Sequence, residues 1–343
     1  MQTLGTLEEL PKDYRDQLES KNLVPLWPSM RAVLPYNVPS RKTTSLNWDF
    51  ETLRPLLLKA GELTPMEKAE RRVLVLANPG HGLANMQATP SIYMGMQLIL
   101  PGETAPNHRH TPNAVRIIVE GEGAYTTVNG EPCRMDRGDL ILTPSGMWHE
   151  HHHEGDGPIV WLDVLDLPLC YYLESSWAIE GEPQPNQRPS DKSFAEYSAA
   201  GIVPSISYSR EKSPAPMLRY PWDKTRNCLV EMSKIYSEGL LRISYVNPET
   251  GKSLFPSIGF GAIMLRPGET ITLPKRTTAC IFHVVEGNGQ VVVDNSNTIE
   301  WIEKDTVSVP GYTNITLINK SSGSPAFLIS ADEEPLHSYL GIY

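Results

Sequence analysis

The sequence repeats itself at a distance of 166 residues, and this repeat constrains the fold more than any other feature. LPGETAPNHRHTPNAVRIIVEGEGAYTTVNG, which begins at Leu100, returns as RPGETITLPKRTTACIFHVVEGNGQVVVDNS, which begins at Arg266. Three landmark pairs keep the spacing, so no insertion separates them: Gly102 and Gly268, Gly121 and Gly287, Pro144 and Pro310. Short β-branched runs between Gly, Pro and Asn are typical of strands and turns. The repeat therefore predicts two successive β-barrels.

A chain of 343 residues is long enough to hold two domains, each with its own core. Helix-forming composition appears at residues 7–20 and 53–60, and again in WDKTRNCLVEMSKIY. We expect four parts: an N-terminal helical arm at 1–70, a first barrel at 71–170, a connector with a helix at 171–250, and a second barrel at 251–343.

Charge and composition exclude several classes of partner. The formal net charge is -10 and no compact Lys/Arg run stands out, which argues against nucleic acid. No stretch approaches the roughly 20 apolar residues of a membrane span, so no membrane partner is expected. The four cysteines lie far apart without CxxC spacing, which indicates reduced thiols. We expect a cytoplasmic protein.

A candidate metal site begins with His108 and His110. Residues two apart on a strand point to the same face, and a return strand carrying His149 can deliver a third imidazole. The alternative is that these are ordinary polar residues on strands. Neutral imidazoles suit Zn, Cu, Fe and Ni alike, so the three side chains do not identify the metal.

These residues resemble the two motifs of the cupin superfamily. The first, G(x)5HxH(x)3-4E(x)6G, is matched by Gly102, His108, His110 and Gly121, with Ala114 in the glutamate position. The second, G(x)5PxG(x)2H(x)3N, is matched by Gly138, Pro144, Gly146 and His149, with His153 in place of Asn. With the missing glutamate, ERRVLVLANPG at 70–80 and VRIIVEGEG, the chain resembles the gentisate 1,2-dioxygenase family over about residues 20–340.

The resemblance implies an all-β bicupin, in which each barrel is a jelly roll (a double-stranded β-helix). It implies Fe(II) in the first barrel and a homo-oligomer, commonly a tetramer. The implied reaction inserts both atoms of O2 into a small aromatic hydroxy acid. For gentisate (2,5-dihydroxybenzoate), the ring opens between C1 and C2 to give maleylpyruvate. Salicylate or 1-hydroxy-2-naphthoate is the alternative substrate, and a cupin isomerase or small-molecule-binding cupin is the alternative class.

The charge on the metal offers a physical explanation for Ala114. The familiar iron triad of two histidines and one carboxylate leaves less positive charge on the metal than three histidines do. A substrate with a carboxylate and an ionised 2-hydroxyl could then supply the missing anions itself. This hypothesis favours an ortho-hydroxy acid over an isolated alcohol.

Alternation along the strands extends the site. Arg116 shares the inward face with Ala114 and requires an anionic partner, either a substrate carboxylate or a protein acid. His151 shares a face with His149 and is expected behind the metal ligands, where it could hydrogen-bond a substrate oxygen. The alternative is that HEHHHEGDG is mostly a solvated loop with one buried ligand. In that case His152, and by extension His153, would be exposed to solvent.

The family pattern, carried across residue by residue, implies three further pocket residues. Arg71 and Gln97 would bind substrate, and either Asp163 or His151 would accept the proton of the para hydroxyl.

The second barrel departs from the pattern. The ligand positions hold Pro274, Arg276 and Ile315, and the Arg116 position holds Phe282. We therefore expect a metal-free, structural barrel. His283 is out of phase with the inward positions and is expected at a surface or an interface.

Overall fold

A computed structural model describes residues 5–183, 187–209 and 212–342. The predicted arm and connector include residues 1–4, 184–186 and 210–211, which lie outside this range. The chain divides into two compact units, the first ending at Lys42 and the second beginning at Thr43. The described helices are α1 (Lys12–Ser20), α2 (Leu26–Val33), α3 (Phe50–Leu63), α4 (Met66–Ala69), α5 (Leu167–Tyr172), α6 (Lys192–Glu196), α7 (Ser205–Ser209), α8 (Trp222–Ile235) and α9 (Glu334–Leu340), with 3-10 turns at Pro79–His81 and Leu83–Asn85.

The predicted helices are present, and their ends follow from local chemistry. α3 begins after Asp49, whose carboxylate accepts a hydrogen bond from the Thr52 backbone N–H at 3.2 Å, a standard N-terminal cap. α8 covers nearly all of WDKTRNCLVEMSKIY and begins directly after Pro221. None of the helices in the described ranges is long and apolar enough to cross a membrane.

Strands are the main regular structure of the second unit, and the all-β prediction is confirmed. As far as residue 220 they are β1 (Leu46–Trp48), β2 (Val73–Val75), β3 (Tyr93–Ile99), β4 (Thr104–His110), β5 (Ala114–Glu120), β6 (Ala124–Val128), β7 (Glu131–Arg134), β8 (Leu140–Thr143), β9 (His149–His153), β10 (Ile159–Leu165), β11 (Ala178–Glu180) and β12 (Arg219–Tyr220). They continue with β13 (Leu241–Ser244), β14 (Gly259–Leu265), β15 (Thr270–Thr272), β16 (Cys280–Glu286), β17 (Gly289–Val293), β18 (Asn297–Trp301), β19 (Thr306–Val309), β20 (Ile315–Asn319) and β21 (Ala326–Asp332).

The repeat in the sequence becomes a repeat of two-sheet barrels. In the first barrel, the sheet β12-β8-β5-β10-β3-β2 faces the sheet β11-β4-β9-β6-β7. In the second barrel, β1-β19-β16-β21-β14-β13 faces β15-β20-β17-β18. The strands β3, β5, β8 and β9 begin 166 residues before β14, β16, β19 and β20. All pairings described between strands are antiparallel, as a jelly roll requires.

The repeated glycines have a common structural reason. Gly121 and Gly287 both have positive φ, of 96° and 98°, and both lie where the chain turns after an inner strand. A Cβ atom on Gly121 would lie 2.5 Å from the carbonyl oxygen of Pro158, and one on Gly287 would lie 2.7 Å from Ala326 Cβ. Only glycine fits this turn in either barrel.

Strands from outside the predicted barrel boundaries extend the sheets. β1, from the predicted arm, pairs with β19 of the second barrel. β11 and β12, from the predicted connector, pair with β4 and β8 of the first barrel, and β13 pairs with β14 of the second. The arm and the connector therefore contribute to the barrels, and one core cluster joins residues of both barrels.

Of the two locations predicted for His283, a surface or an interface, the structure shows an interface between the barrels. The residue is 2% exposed, and its Nδ1 hydrogen-bonds Thr306 Oγ1 at 3.0 Å. Its strand, β16, has buried residues on both faces because the first barrel packs against the outside of this sheet, with Arg137 donating to the Val285 carbonyl at 2.5 Å. Burial, together with the charge of Arg137, lowers the pKa of His283 to about 3.

Candidate active site

Three imidazoles meet inside the first barrel. His108 and His110 lie on β4, and His149 opens the antiparallel neighbour β9, with His108 paired opposite His149. The ring centroids are 4.1 Å apart for His108 and His149, and 4.8 Å apart for His110 and His149. One nitrogen from each residue lies within 4.8 Å of the other two, close enough for all three to hold one metal ion.

The orientation of the rings fits a metal. His110 Nδ1 hydrogen-bonds the Pro112 carbonyl at 2.8 Å, and His149 Nδ1 hydrogen-bonds the Met147 carbonyl at 3.0 Å. A ring that donates from Nδ1 keeps its lone pair on Nε2, the arrangement typical of metal-ligating histidines. Nε2 of His149 is buried and has no hydrogen-bond partner within the described structure, so an ion would satisfy it.

The electrostatic environment keeps these rings neutral. Burial lowers the pKa of His108 to about 2, with Arg71 adding to the effect. Burial and the charge of Arg116 lower the pKa of His110 to about 4 and hold that of His149 well below its usual range. Neutral imidazole is the form that binds metal, so the ligands need no deprotonation near pH 7.

Arg116 has one of its two predicted anionic partners, a protein acid. Its side chain is buried in the barrel, 3% exposed, where Nη1 donates to Thr143 Oγ1 at 2.7 Å. Its Nε lies 3.3 Å from Asp163 Oδ1 on the neighbouring strand β10. Although the two charges are paired, Nε is buried and has no hydrogen-bond partner in the described structure. The internal salt bridge is therefore formed, and Nε keeps a hydrogen bond to offer to an anion.

Asp163 is held from two sides. Arg116 pairs with it, and Trp161 Nε1 donates to its Oδ1 at 3.1 Å. Burial raises the pKa of the Asp163 carboxyl, while the charge of Arg116 opposes this shift. The positive charge of Arg116 therefore offsets part of the cost of burying the Asp163 carboxylate.

The two adjacent arginines of ERRVLVLANPG have different partners. Arg71 reaches the metal-ligand candidates: its Nη2 contacts His108 Nδ1 and donates to the Pro106 carbonyl at 2.5 Å. Burial lowers the pKa of Arg71 to about 10. Arg72 points away and forms a bidentate pair with Glu103, at 2.6 and 2.9 Å. Of the two, Arg71 is the residue that the structure places at the site.

Two more predicted residues present unsatisfied polar atoms. Gln97 Nε2 is buried without a hydrogen-bond partner in the described chain, as is Nε2 of His151. His151 Nδ1 is 3.0 Å from Thr126 Oγ1, and its ring centroid is 6.1 Å from that of His149. Burial lowers the pKa of His151 well below its usual range. Both residues can therefore offer a hydrogen bond to a bound molecule.

Alternation along β9 is confirmed. His149, His151 and His153 are buried, whereas His152 is exposed. The extension of the solvated-loop description to His153 is wrong, because its Nε2 hydrogen-bonds the Gly157 carbonyl at 2.5 Å. This contact fixes the turn that follows the strand.

The sequence reasoning missed Tyr93. This residue shares a face of β3 with Gln97, and its hydroxyl would lie 2.7 Å from a Cβ atom on Gly95, so the glycine makes room for the phenol. Burial raises the pKa of Tyr93, and the nearby carboxylate of Asp163 adds to the rise. The alternation in YMGMQ places Tyr93, Gly95 and Gln97 on one face of the strand, and this pattern could have predicted Tyr93 as a neighbour of Gln97.

Ala114 and Arg276 lie in different barrels and have different surroundings, and the metal-free state of the second barrel stays a prediction. Ala114 is 1% exposed and lies on β5 between Thr143 and Leu165 of the neighbouring strands. In the second barrel, Arg276 pairs with the buried Asp332 at 3.0 Å. Within the described ranges, the cluster of His108, His110 and His149 is the one group of side chains placed to hold a metal.

Comparisons with known proteins agree with this geometry. Residues 95–165 match the family model for the cupin domain. The chain is 57% identical to a gentisate 1,2-dioxygenase of Ralstonia sp, over 99% of this chain and 95% of that protein. It is 36% identical to gentisate 1,2 dioxygenase 1 of Aquipseudomonas alcaligenes, over 97% of this chain and 95% of that protein. The crystal structure of salicylate 1,2-dioxygenase from Pseudoaminobacter salicylatoxidans, an adduct with gentisate, has a TM-score of 0.90 at 31% identity, covering 100% of this chain and 94% of the other.

Proposed function

Because the chain belongs to the gentisate 1,2-dioxygenase family of cupin enzymes, we propose that it cleaves gentisate between C1 and C2 with O2 to give maleylpyruvate, using Fe(II). The observation that carries the proposal is the three-histidine cluster with a buried guanidinium beside it. That pairing provides a metal site and an anion receptor in one barrel.

His108, His110 and His149 would hold the iron. The inward lone pair of His149, without a partner in the described structure, and the neutral state of the rings support this assignment. Bound Fe(II) supplies coordination positions for oxygen ligands and lets electrons pass from the ring to O2. With Ala114 in place of an acid, the protein contributes no carboxylate, so an anionic substrate is the better match.

Arg116, Arg71 and Gln97 would bind the substrate. Arg116 can donate from its unpartnered Nε to the gentisate carboxylate while Nη1 remains bound to Thr143 and the charge of Asp163 lies beside it. A guanidinium fixed on two sides loses little rotamer freedom when it binds a carboxylate. Gln97, with an amide nitrogen lacking a partner in the described residues, would fix a second oxygen.

His151 or Asp163 would accept the proton of the 5-hydroxyl. His151 is neutral, and its unpartnered Nε2 is the atom that can take a hydrogen bond. Asp163 is the alternative acceptor, because burial raises the pKa of its carboxyl, although the charge of Arg116 opposes this rise. Loss of this proton makes the ring more electron-rich and so easier to oxidise.

Salicylate and 1-hydroxy-2-naphthoate are the rival substrates. They share the carboxylate and the ortho hydroxyl that Arg116 and the metal would recognise, but they lack the para hydroxyl. The solved salicylate dioxygenase with a gentisate adduct makes this overlap a concrete possibility. The para hydroxyl is therefore the group that must decide the preference.

The test is anaerobic loading with Fe(II), followed by oxygen-electrode assays on the three substrates side by side. We expect stoichiometric O2 uptake with the highest kcat/KM for gentisate, and ring-opened product by absorbance. A cupin isomerase would consume no O2, and a binding protein would form no product. Higher kcat/KM for salicylate would move the assignment to the rival.

We also propose a cytoplasmic homo-oligomer, a tetramer by family resemblance. The four cysteines form no disulfide, which fits a reducing compartment. Tyr171, Tyr172 and Leu173 at α5 are each more than 60% exposed, a surface that an oligomer would cover. Sedimentation equilibrium on the full chain measures the oligomer number directly.

A further inference from the structure

A buried carboxylate outside the predicted pocket holds the turn that follows His110. Asp166, 3% exposed, comes directly after β10. Its Oδ1 accepts from the Asn113 backbone N–H at 2.7 Å, and its Oδ2 accepts from Asn113 Nδ2 at 2.9 Å. This double contact fixes both the backbone and the side chain of Asn113.

Asn113 in turn joins the two turns that carry the metal-ligand candidates. Its Oδ1 accepts from the Ser145 backbone N–H at 3.1 Å, in the turn before His149. The next residue, Gly146, donates its N–H to the His110 carbonyl at 2.8 Å. The residue before Asn113, Pro112, supplies the carbonyl that orients the His110 ring.

The same carboxylate also contacts the second barrel. Ser257 Oγ donates to Asp166 Oδ2, and Ser257 is 5% exposed in the segment that leads into β14. No salt bridge reaches Asp166 in the part of the chain that is described, so neutral donors satisfy its oxygens. A chain of hydrogen bonds therefore links Ser257 to Asp166 and Asp166 to Asn113, which lies in the turn after His110.

We propose that Asp166, which accepts a hydrogen bond from Ser257 of the second barrel, is a positioning residue for His110 and His149. The inference rests on the proposed metal site. Partners behind a ligand set its orientation, and ligands held in place before the metal arrives lose less freedom on binding. The second barrel thus contributes to metal affinity without a ligand of its own.

The test is metal affinity in the absence of substrate, measured by anaerobic titration of the apo-protein with Co(II) against a competing chelator. We expect Asp166→Ala to weaken Co(II) binding roughly 10-fold, the low end of the range for loss of a group that contacts a ligand, because Asp166 acts through Asn113. Ser257→Ala should weaken it by a smaller factor. The visible spectrum of bound Co(II) should change in Asp166→Ala, because the His110 ring is no longer fixed.

Asp305→Ala is the matched control. Asp305 is also buried, 2% exposed, and its oxygens also accept from neutral donors, among them the backbone N–H groups of Phe50 and Ile302, each at 3.0 Å. It belongs to the second barrel and touches neither ligand turn. We expect Asp305→Ala to lower Tm and leave Co(II) affinity unchanged.

Three results would overturn the inference. If Asp166→Ala lowers Tm like Asp305→Ala but keeps the parent affinity and spectrum, Asp166 is only structural. If Ser257→Ala keeps the parent affinity, the contribution of the second barrel is refuted. If Asp166→Ala does not fold, Asp166→Asn takes its place in the test. Parent Co(II) affinity and spectrum in Asp166→Asn would also refute the positioning role of Asp166. A parent protein that binds no Co(II) would instead refute the proposed metal site.

Discussion

Replacing Arg116 with alanine should separate its two contacts. Its Nε lies 3.3 Å from Asp163 Oδ1. At an effective dielectric constant of about 20, two charges at that separation attract by about 5 kcal/mol. Removing one partner of a buried pair typically costs 3 to 5 kcal/mol, because the other charge is left buried and uncompensated. Set against a domain stability of roughly 5 to 15 kcal/mol, the variant should fold with a lower Tm.

The effect on substrate affinity follows from the buried Nε of Arg116, which has no hydrogen-bond partner in the described structure. Loss of a charged hydrogen bond to a buried carboxylate costs roughly 2 to 5 kcal/mol, which is about 30- to 5,000-fold in affinity. We therefore expect Arg116→Ala to retain iron, since Arg116 is not a ligand, while the Kd for gentisate rises by that factor. The assay is anaerobic titration of the Fe(II)-loaded protein with gentisate, with iron content and Tm measured on the same sample.

A double variant distinguishes a substrate contact from a purely structural role. Arg116→Ala with Asp163→Ala removes the orphaned carboxylate, so Tm should recover towards the parent value. Gentisate affinity should stay low, because the anion receptor is still missing. Recovery of gentisate affinity together with Tm would refute the reasoning, since it would mean that Arg116 only neutralises Asp163.

Three further outcomes are expected. Ala114→Glu should hold iron at least as well as the parent while turnover falls, because the new carboxylate crowds the open face of the metal and lowers its positive charge. Ala114→Gln has a similar volume without the charge, so it separates crowding from electrostatics. Full iron content with parent turnover in Ala114→Glu would contradict the explanation. Metal analysis should give about one iron per chain, lost in the His108→Ala/His110→Ala double variant, and a value near two would disprove a metal-free second barrel. Because burial lowers the pKa of His283 to about 3, the unfolded state binds its proton first as the pH falls below 6.5, so this residue should cost about 3 kcal/mol of unfolding free energy by pH 4.5. Chemical denaturation from pH 7 to 4.5 should show a shallower decline in His283→Gln, and identical declines would refute this.

Local pattern was enough to predict that the three candidate ligand histidines lie together. The 166-residue repeat predicted two barrels, and a period of two along a strand placed His108 and His110 on one face. The same period placed Arg116 and His151 inward, and both are buried. These inferences succeeded because the direction of a side chain on a strand depends only on its neighbours in sequence. The roles of the pocket residues stay predictions until the variants are measured.

Tertiary structure decided what lies across from each side chain. Sequence left the partner of Arg116 open, and only the pairing of β5 with β10 brings Asp163 to it. His283 appeared outward on its strand, but the outer face of that sheet is covered by the other barrel. The contact between Asp166 and Ser257 joins residues 91 positions apart. Alternation fixes which face a residue occupies, whereas the packing of one sheet or barrel on another fixes what covers that face, and no local pattern in the chain specifies it.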